Sequence, residues 1–313
     1  MNTKAANLSG RGIKPSTLGN SYVVIAALLW GTTGTAAQLA PGLSPITIAA
    51  VAMGGGGLLQ ALLAGSHIIK ALPRLKQQWR LWLLGALAVA VYPLAFYSAM
   101  HMAGVAVGTV VAIGSAPLLS ALIENRLEQS PLAPKWWLGA VIAVLGIILL
   151  VYRPAATERV ASAHTLIGIG LGIVAGLTYS CYSWTARTMM VTGMSSRAAM
   201  GGTFGLGGLL LVPVLIASGT SLFDSGRNAA VASYMALLPM CIGYLCYGAG
   251  LARIRASTAT AITLLEPVVA AWLAVLVLNE RLPFSAWLGM VMIIASLTII
   301  VWPSAQAKHR GSE

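Results

Sequence analysis

The stretch STATAITLLEPVVAAWLAVLVLNERL, residues Ser257 to Leu282, runs from Ser257 to Leu278 with no basic residue and a single acid, Glu266. About 20 residues at about 1.5 Å each cover the roughly 30 Å of hydrocarbon in a bilayer, so this segment is long enough to span one. Glu266 and Pro267 fall near its middle. A carboxylate at that depth costs a few kcal/mol or more unless it faces an interior or a cavity. Pro267 has no N–H for the carbonyl of Thr263, which leaves a loose acceptor beside the acid. An earlier stretch, 107–132, carries Pro117 at the matching place. The sequence therefore predicts two broken helices, one in each copy of a repeated membrane unit, meeting near the centre.

Composition agrees with this. Hydrophobic residues make up 58% of the 313 and charged residues only 8%, against about 25% charged in a soluble domain. The net charge of +12 is topogenic, because the basic residues sit in short connections between apolar runs. No basic stripe is interleaved with aromatics, so nucleic acid is not an expected partner. Cys181, Cys241 and Cys246 all fall within apolar runs and read as packing residues. His67, His101, His164 and His309 are scattered, without metal-ligand spacing. No metal or cofactor is expected.

Ten spans are predicted, at 22–40, 44–65, 81–101, 103–123, 135–152, 165–187, 196–218, 231–252, 257–278 and 284–302. With the N-terminus in the cytoplasm, 15 of the 19 Lys and Arg fall on the cytoplasmic side. Omitting one span would spoil that asymmetry. The expected organisation is all-α and polytopic: a cytoplasmic tail (1–21), a five-helix unit (22–155), a periplasmic linker (156–164), a second five-helix unit (165–303) and a cytoplasmic tail (304–313). A monomer in the lipid bilayer of a bacterial inner membrane is expected.

Shifting the chain by 150 residues lays Tyr97 on Tyr247, Pro117 on Pro267, and Trp137-Leu138-Gly139 on Trp287-Leu288-Gly289. Each half holds five spans, an odd number, so the second copy runs upside down relative to the first. Inverted repeats are the usual architecture of secondary transporters, with the substrate site near the midplane. The Leu265-Glu266-Pro267 run, the Asn279-Glu280-Arg281-Leu282 run and the two halves resemble the EamA-type exporters of the drug/metabolite transporter superfamily, from about Tyr22 to Pro303. Within that family the chain looks most like the YddG-type exporters of aromatic amino acids and related metabolites. One departure is that Ala116-Pro117 stands in the first half where Glu266-Pro267 stands in the second.

Candidate site residues follow from what is out of place at mid-membrane depth. Glu266 is a proton carrier, a partner for a substrate amine, or a structural acid at a helix break. Pro117 and Pro267 are hinges lining a cavity, or static kinks. Trp30 lies too deep for an interfacial anchor, whereas Trp79, Trp82, Trp136, Trp137, Trp287 and Trp302 sit near span ends. Tyr92 and Phe96 share a helix face, as do Tyr179 and Tyr182, and Tyr244 and Tyr247. With Tyr97 these rings either surround a cavity suited to a flat apolar substrate or pack tightly with hydroxyls on neighbouring backbone. Ser115 and Thr263 are candidate contacts for the charged ends of an amino acid, or helix-packing hydroxyls. Gly54 to Gly57 read as a close-packed seam.

The sequence thus predicts a secondary transporter exporting small hydrophobic or aromatic metabolites by alternating access. Its drive, protons or the substrate gradient, is left open. No GxxxxGK[ST] run supports direct use of ATP. The rival is an integral-membrane enzyme acting on lipid or isoprenoid head groups. Its nearest basis is Glu124, Arg126 and Glu128, a cluster without histidine. A channel would want rings of like groups or carbonyl filters, and none is visible.

Overall fold

A computed structural model of the chain describes residues 14–129, 131–152, 163–279 and 281–301. Among them every regular element is helical. Among the described residues nine helices are long and apolar enough to cross a bilayer: Pro45–Leu63, Trp79–Ala103, Val107–Leu127, Pro134–Val151, Ala163–Val191, Ser196–Phe223, Gly226–Leu251, Ala256–Val277 and Phe284–Val301. They are the second to tenth spans in chain order. The first is split, Pro15–Gly31 and then Thr33–Gln38, with Thr32 between. Its two pieces together are long enough for the hydrocarbon. The fold is therefore an all-α polytopic membrane protein of two inverted five-helix repeats.

Three expectations need correction. The first helix begins at Pro15, inside the segment expected to be tail. Its proline fits the first turn, where the missing N–H has no helical partner to lose. The connection after the second span is mostly a helix, Gly65–Gln77, with Leu75 fully buried and basic Arg74 and Lys76 in its last turn. Arg74 donates to the carbonyl of Gly193, and Gln78 bonds Thr192 at 2.9 Å, so this helix is docked on the connection between the sixth and seventh spans. Third, Trp136 is an interior residue, only 4% exposed. The tail before Lys14, most of the linker, Arg153, Arg159, Glu280, Trp302 and the tail 304–313 lie outside the described residues.

The two halves of the sequence are not the two packing units. The sixth span packs along the third and fourth, while the first packs along the eighth and ninth. This exchange gives bundle one (third, fourth and sixth spans) and bundle two (first, eighth and ninth spans), each with one helix borrowed from the other repeat. The second pairs with the seventh, and the fifth with the tenth. All these pairings map onto one another when the repeats are swapped, as a two-fold relation requires.

Glycines let the outer pairs approach closely. A Cβ on Gly57 would stand 2.2 Å from the carbonyl oxygen of Phe204, and one on Gly208 would stand 2.7 Å from that of Gly54. The two glycine runs, one in each repeat, form one seam. The fifth and tenth spans cross in the same way, where a Cβ on Gly289 would lie 2.4 Å from the Gly146 oxygen and 2.6 Å from the Leu150 nitrogen. These obstacles are backbone, which cannot swing aside. Gly289→Val is expected to destabilise the protein by about 1–3 kcal/mol through overpacking. Leu288→Val, a change at a side chain 43% exposed on the outside of the bundle, is expected to leave stability nearly unchanged. Thermal melting of the two variants in detergent checks this; equal melting temperatures would contradict it.

Candidate functional site

The first and ninth spans are both broken, and their breaks cross. Gly31 ends the first helical piece, and a Cβ there would stand 2.5 Å from Cβ of Val269 and 2.9 Å from the carbonyl of Glu266. Only a glycine allows this approach. At the break Thr32 Oγ1 donates to Leu29 O (2.6 Å) and Thr33 Oγ1 donates to Trp30 O (2.7 Å). In the ninth span the helix stops at Ile262 and resumes at Leu265. The carbonyl that Pro267 cannot serve, Thr263 O, receives the N–H of Glu266 instead at 2.9 Å. Thr263 Oγ1 donates to Thr260 O (2.8 Å) and so satisfies the carbonyl facing the break. Hydroxyls thus take up the polar groups that hydrocarbon would leave unpaired.

The fourth span does not break. It runs continuously from Val105 to Leu127 through Pro117, contrary to the expected pair of proline-broken helices. The sixth span splints it. A Cβ on Gly176 would stand 2.8 Å from Ala112 O, and Ser180 Oγ donates to Ala116 O at 2.7 Å. One missing helical bond is outweighed by this packing. Ile113, one turn before Pro117, joins Leu264 and Val268, which flank Glu266 and Pro267, in one apolar cluster.

The rings gather where the bundles face each other. Trp30 lies 4.5 Å from Tyr244 and 5.2 Å from Tyr247, centroid to centroid, and Tyr179 lies 5.2 Å from Tyr182 and 5.6 Å from Tyr92. Trp30 Nε1 donates to Pro239 O (2.9 Å), a carbonyl in a widened turn of the eighth span. Gly243 makes room, since a Cβ there would fall 2.8 Å from that nitrogen. Phe204 of the seventh span closes the layer, 4.4 Å from Tyr244.

Three hydroxyl bonds cross between the bundles. Thr263 spends its proton on Thr260, so Tyr179 is the donor in the 2.8 Å bond to Thr263 Oγ1. Ser183 spends its proton on Tyr179 O, so Tyr247 donates to Ser183 Oγ at 2.8 Å. Tyr182 and Tyr244 share a proton at 2.9 Å. Further along, Arg187 donates to Leu251 O at 2.5 Å, and Glu124 of the fourth span accepts Arg255 Nε at 3.1 Å and the Ser257 hydroxyl. Glu128 accepts Trp184 Nε1 at 2.9 Å. The Arg187 and Glu124 ties close the end that carries Lys14, Lys135, Arg187, Arg253 and Arg255, called here the basic end; the Glu128 bond lies within bundle one. These bonds also occupy Glu124 and Glu128, the acids on which an enzymatic reading rested.

Toward the other end, the far end, the bundles part. The fourth span packs on the Ala256–Ile262 piece of the ninth, not extensively on the Leu265–Leu278 piece. A cavity of about 610 Å³ opens there between the first and second spans on one side and the third and fourth on the other. Tyr97, Met100 and His101 line it with Gln38 and Ile48. Tyr92, Phe96 and Tyr97 stay partly exposed, unlike the sealed rings behind them, and so does Glu266. Among the described residues nothing hydrogen-bonds the Glu266 carboxylate.

The residues singled out from sequence therefore separate. Trp30, Tyr179, Tyr182, Tyr244 and Tyr247 form a sealed layer with Thr263, their polar atoms bonded within it. Tyr97 lines the far-end cavity, and Tyr92, Phe96 and Glu266 are partly exposed. Ser115 stands apart, bonding Ala112 O of its own helix (3.3 Å) against Gly176 of the sixth span. Sequence reasoning passed over Ser183, although its spacing from Tyr179 places both on one face; it counted Arg187 and Arg255 among the topogenic charges and read Glu124 as part of a cluster with Arg126 and Glu128.

Interleaved inverted repeats, with two bundles closed at one end and parted at the other, define a membrane carrier. The chain belongs to the EamA-like transporter family, which it matches twice, at residues 17–152 and 166–302. It is 33% identical to an uncharacterized transporter of Bacillus subtilis, YwfM, over 93% of this chain and 96% of that one. It is 28% identical to PecM of Dickeya dadantii, over 89% and 91%. A probable terminal-alkyne amino-acid exporter of Streptantibioticus cattleyicolor is 27% identical over 82% of each chain. One solved crystal structure superposes with a TM-score of 0.74 at 20% identity, covering 90% of this chain and 96% of that one, and carries the same fold.

Hydroxyl bonds between membrane helices contribute about 0.6 kcal/mol each on average, so the three across the bundles hold the closed basic end by only about 2 kcal/mol. Loosening the basic end should be easy to detect. Ala256→Cys, fully buried at that end, is expected to react slowly with a water-soluble thiol reagent. Adding Glu124→Gln should raise the rate roughly tenfold, the change expected for about 1.4 kcal/mol. An unchanged rate would show that the Glu124 cluster does not hold the end shut.

Proposed function

We propose that this transporter exports small hydrophobic or aromatic metabolites, aromatic amino acids among them, by alternating exposure of the space between its two bundles. The observation that carries this reading is the far-end cavity lined by Tyr97, with Phe96 5.4 Å from Tyr97 and Tyr92 5.8 Å from Phe96 behind it, together with the partly exposed carboxylate of Glu266, which no described residue hydrogen-bonds. A flat ring can stack on Tyr92 and Phe96, themselves near-parallel at 19°. An α-ammonium can meet Glu266. The similarity to a probable amino-acid exporter supports the same class of substrate.

The basic end is cytoplasmic in this reading, with both termini inside and the protein in a bacterial inner membrane, as the distribution of Lys and Arg favours. The conformation described is then the one that releases substrate outward. Loading requires the hydroxyl ladder to part. The moving bodies are bundles one and two, not the two sequence halves, with the Gly31 and Thr263 breaks as hinges. Pro117 lies in an unbroken helix and acts as part of a rigid body.

Counterflow in proteoliposomes tests the substrate class. Vesicles preloaded with tryptophan or phenylalanine should accumulate the labelled amino acid unchanged. Tyr92→Ala and Phe96→Ala should each cut that uptake about tenfold or more, the loss expected for one stacking contact of about 1.5 kcal/mol, while the protein still purifies as a folded species. Full rates in both variants, or no counterflow of any amino acid in a panel, would overturn the assignment. Glu266→Gln distinguishes the roles of the acid: loss of any pH dependence marks it as a proton carrier, and a weaker apparent affinity at unchanged pH response marks it as the amine partner.

A further inference from the structure

A second depression lies at the basic end. It measures about 1230 Å³ and sits between the first, fifth and tenth spans under the connection from the eighth to the ninth. Its composition is divided. Val24, Ile25, Leu297, Ile300 and Val301 make an apolar wall, and Ile25 and Val301 are exposed on the outer face of the protein. Lys14, Lys135, Arg187, Arg253 and Arg255 line the rest, and among the described residues no acid is in the lining. Arg255 pairs with Glu124, and Arg187 donates to Leu251 O. Arg253 is held with its guanidinium over the ring of Tyr22 at 5.4 Å and donates to Ala249 O, which fixes its position.

Two buried polar atoms in the same wall lack partners. Trp136 is 4% exposed, and its indole N–H has no acceptor among the described residues. Asn20 Oδ1 has no donor. Tryptophan buried with an unused N–H is uncommon, because leaving a buried donor unmade costs about 1–3 kcal/mol. An orphan donor and an orphan acceptor beside a cationic rim and an apolar slot fit a ligand that is anionic at one end, hydroxyl-bearing nearby and oily at the other.

We propose that this depression is a binding site for an anionic glycerophospholipid of the adjoining leaflet, of the phosphatidylglycerol type. The phosphate sits between Lys14 and Arg253. Trp136 Nε1 donates to an ester carbonyl or phosphate oxygen, a headgroup hydroxyl donates to Asn20 Oδ1, and an acyl chain lies along Val24, Ile25 and Leu297. Cationic residues at a membrane surface attract anionic lipid, and pockets between spans that hold several of them select it. The depression presents no ring platform like that of Tyr92 and Phe96, which separates it from the substrate space.

Native mass spectrometry of the purified full chain, after exchange into detergent with graded phosphatidylglycerol or phosphatidylcholine, tests the proposal. Phosphatidylglycerol should remain bound under conditions that strip phosphatidylcholine. The double variant Lys14→Gln/Arg253→Gln should retain it roughly tenfold less, whereas Arg227→Gln, which removes a charge outside the depression, should not differ from the native protein. Trp136→Phe keeps the ring and removes the N–H, and it should weaken retention at an unchanged melting temperature. Excess inorganic phosphate should not displace the lipid; displacement by phosphate would mean a free-anion site and overturn the proposal. Equal retention of both lipids, or of phosphatidylglycerol in all variants, would overturn it too.

Discussion

Tyr179, Tyr182, Ser183 and Arg187 lie on one face of the sixth span, and each of them reaches across to the other bundle. Hydrocarbon offers no water to satisfy a hydroxyl or a guanidinium, so each group must find a protein partner. In this chain the partners belong to the eighth and ninth spans. The same stripe therefore satisfies its own polar atoms and holds the two bundles together from mid-membrane to the basic end. Where the stripe ends the contact ends, and the far-end cavity begins near Tyr97. A closure built from a few bonds of about 0.6 kcal/mol each is firm enough to select one conformation. It is also weak enough for a substrate with modest differential affinity to reverse.

The two helix breaks supply the other half of the arrangement. Gly31 and Thr263 bring backbone, not side chain, to the crossing of the first and ninth spans. Their neighbouring threonines satisfy the exposed carbonyls from within each helix. That leaves Glu266 with nothing to do for the fold's own hydrogen bonding. Among the described residues its carboxylate has no hydrogen-bond partner, whereas Glu124, fully buried, is committed to Arg255 and Ser257.

Much of this could be read from the chain. The apolar runs, the 150-residue shift and the bias of Lys and Arg gave the spans and the repeat, because the bilayer constrains length and polarity strongly. The break in the ninth span was legible from Thr263 and Pro267. The break in the first was not, because Gly31 and Thr32 carry no proline and earn their geometry from Val269 and Glu266 across the interface. Pro117 misled for the opposite reason: Gly176 and Ser180 of another span hold its helix straight. The exchange of the first and sixth spans between bundles is a property of tertiary packing, to which span prediction is blind. The mid-membrane aromatics were found by depth alone. Which of them face a cavity and which seal it depended on partners such as Ser183 and Pro239 that sequence distance concealed.

The central claim is that the basic and far ends open in opposition as bundles one and two move. Paired spin-label distances test it most directly. One pair, Leu39→Cys with Val105→Cys, spans the far-end cavity, and the other, Leu127→Cys with Ala252→Cys, spans the basic end; all four side chains are exposed. In lipid nanodiscs each pair should show two populations. Adding Glu124→Gln or a transported amino acid should shift them in opposite senses, the basic-end pair lengthening as the far-end pair shortens. Distances that change in the same sense at both ends, or at neither, would contradict the account.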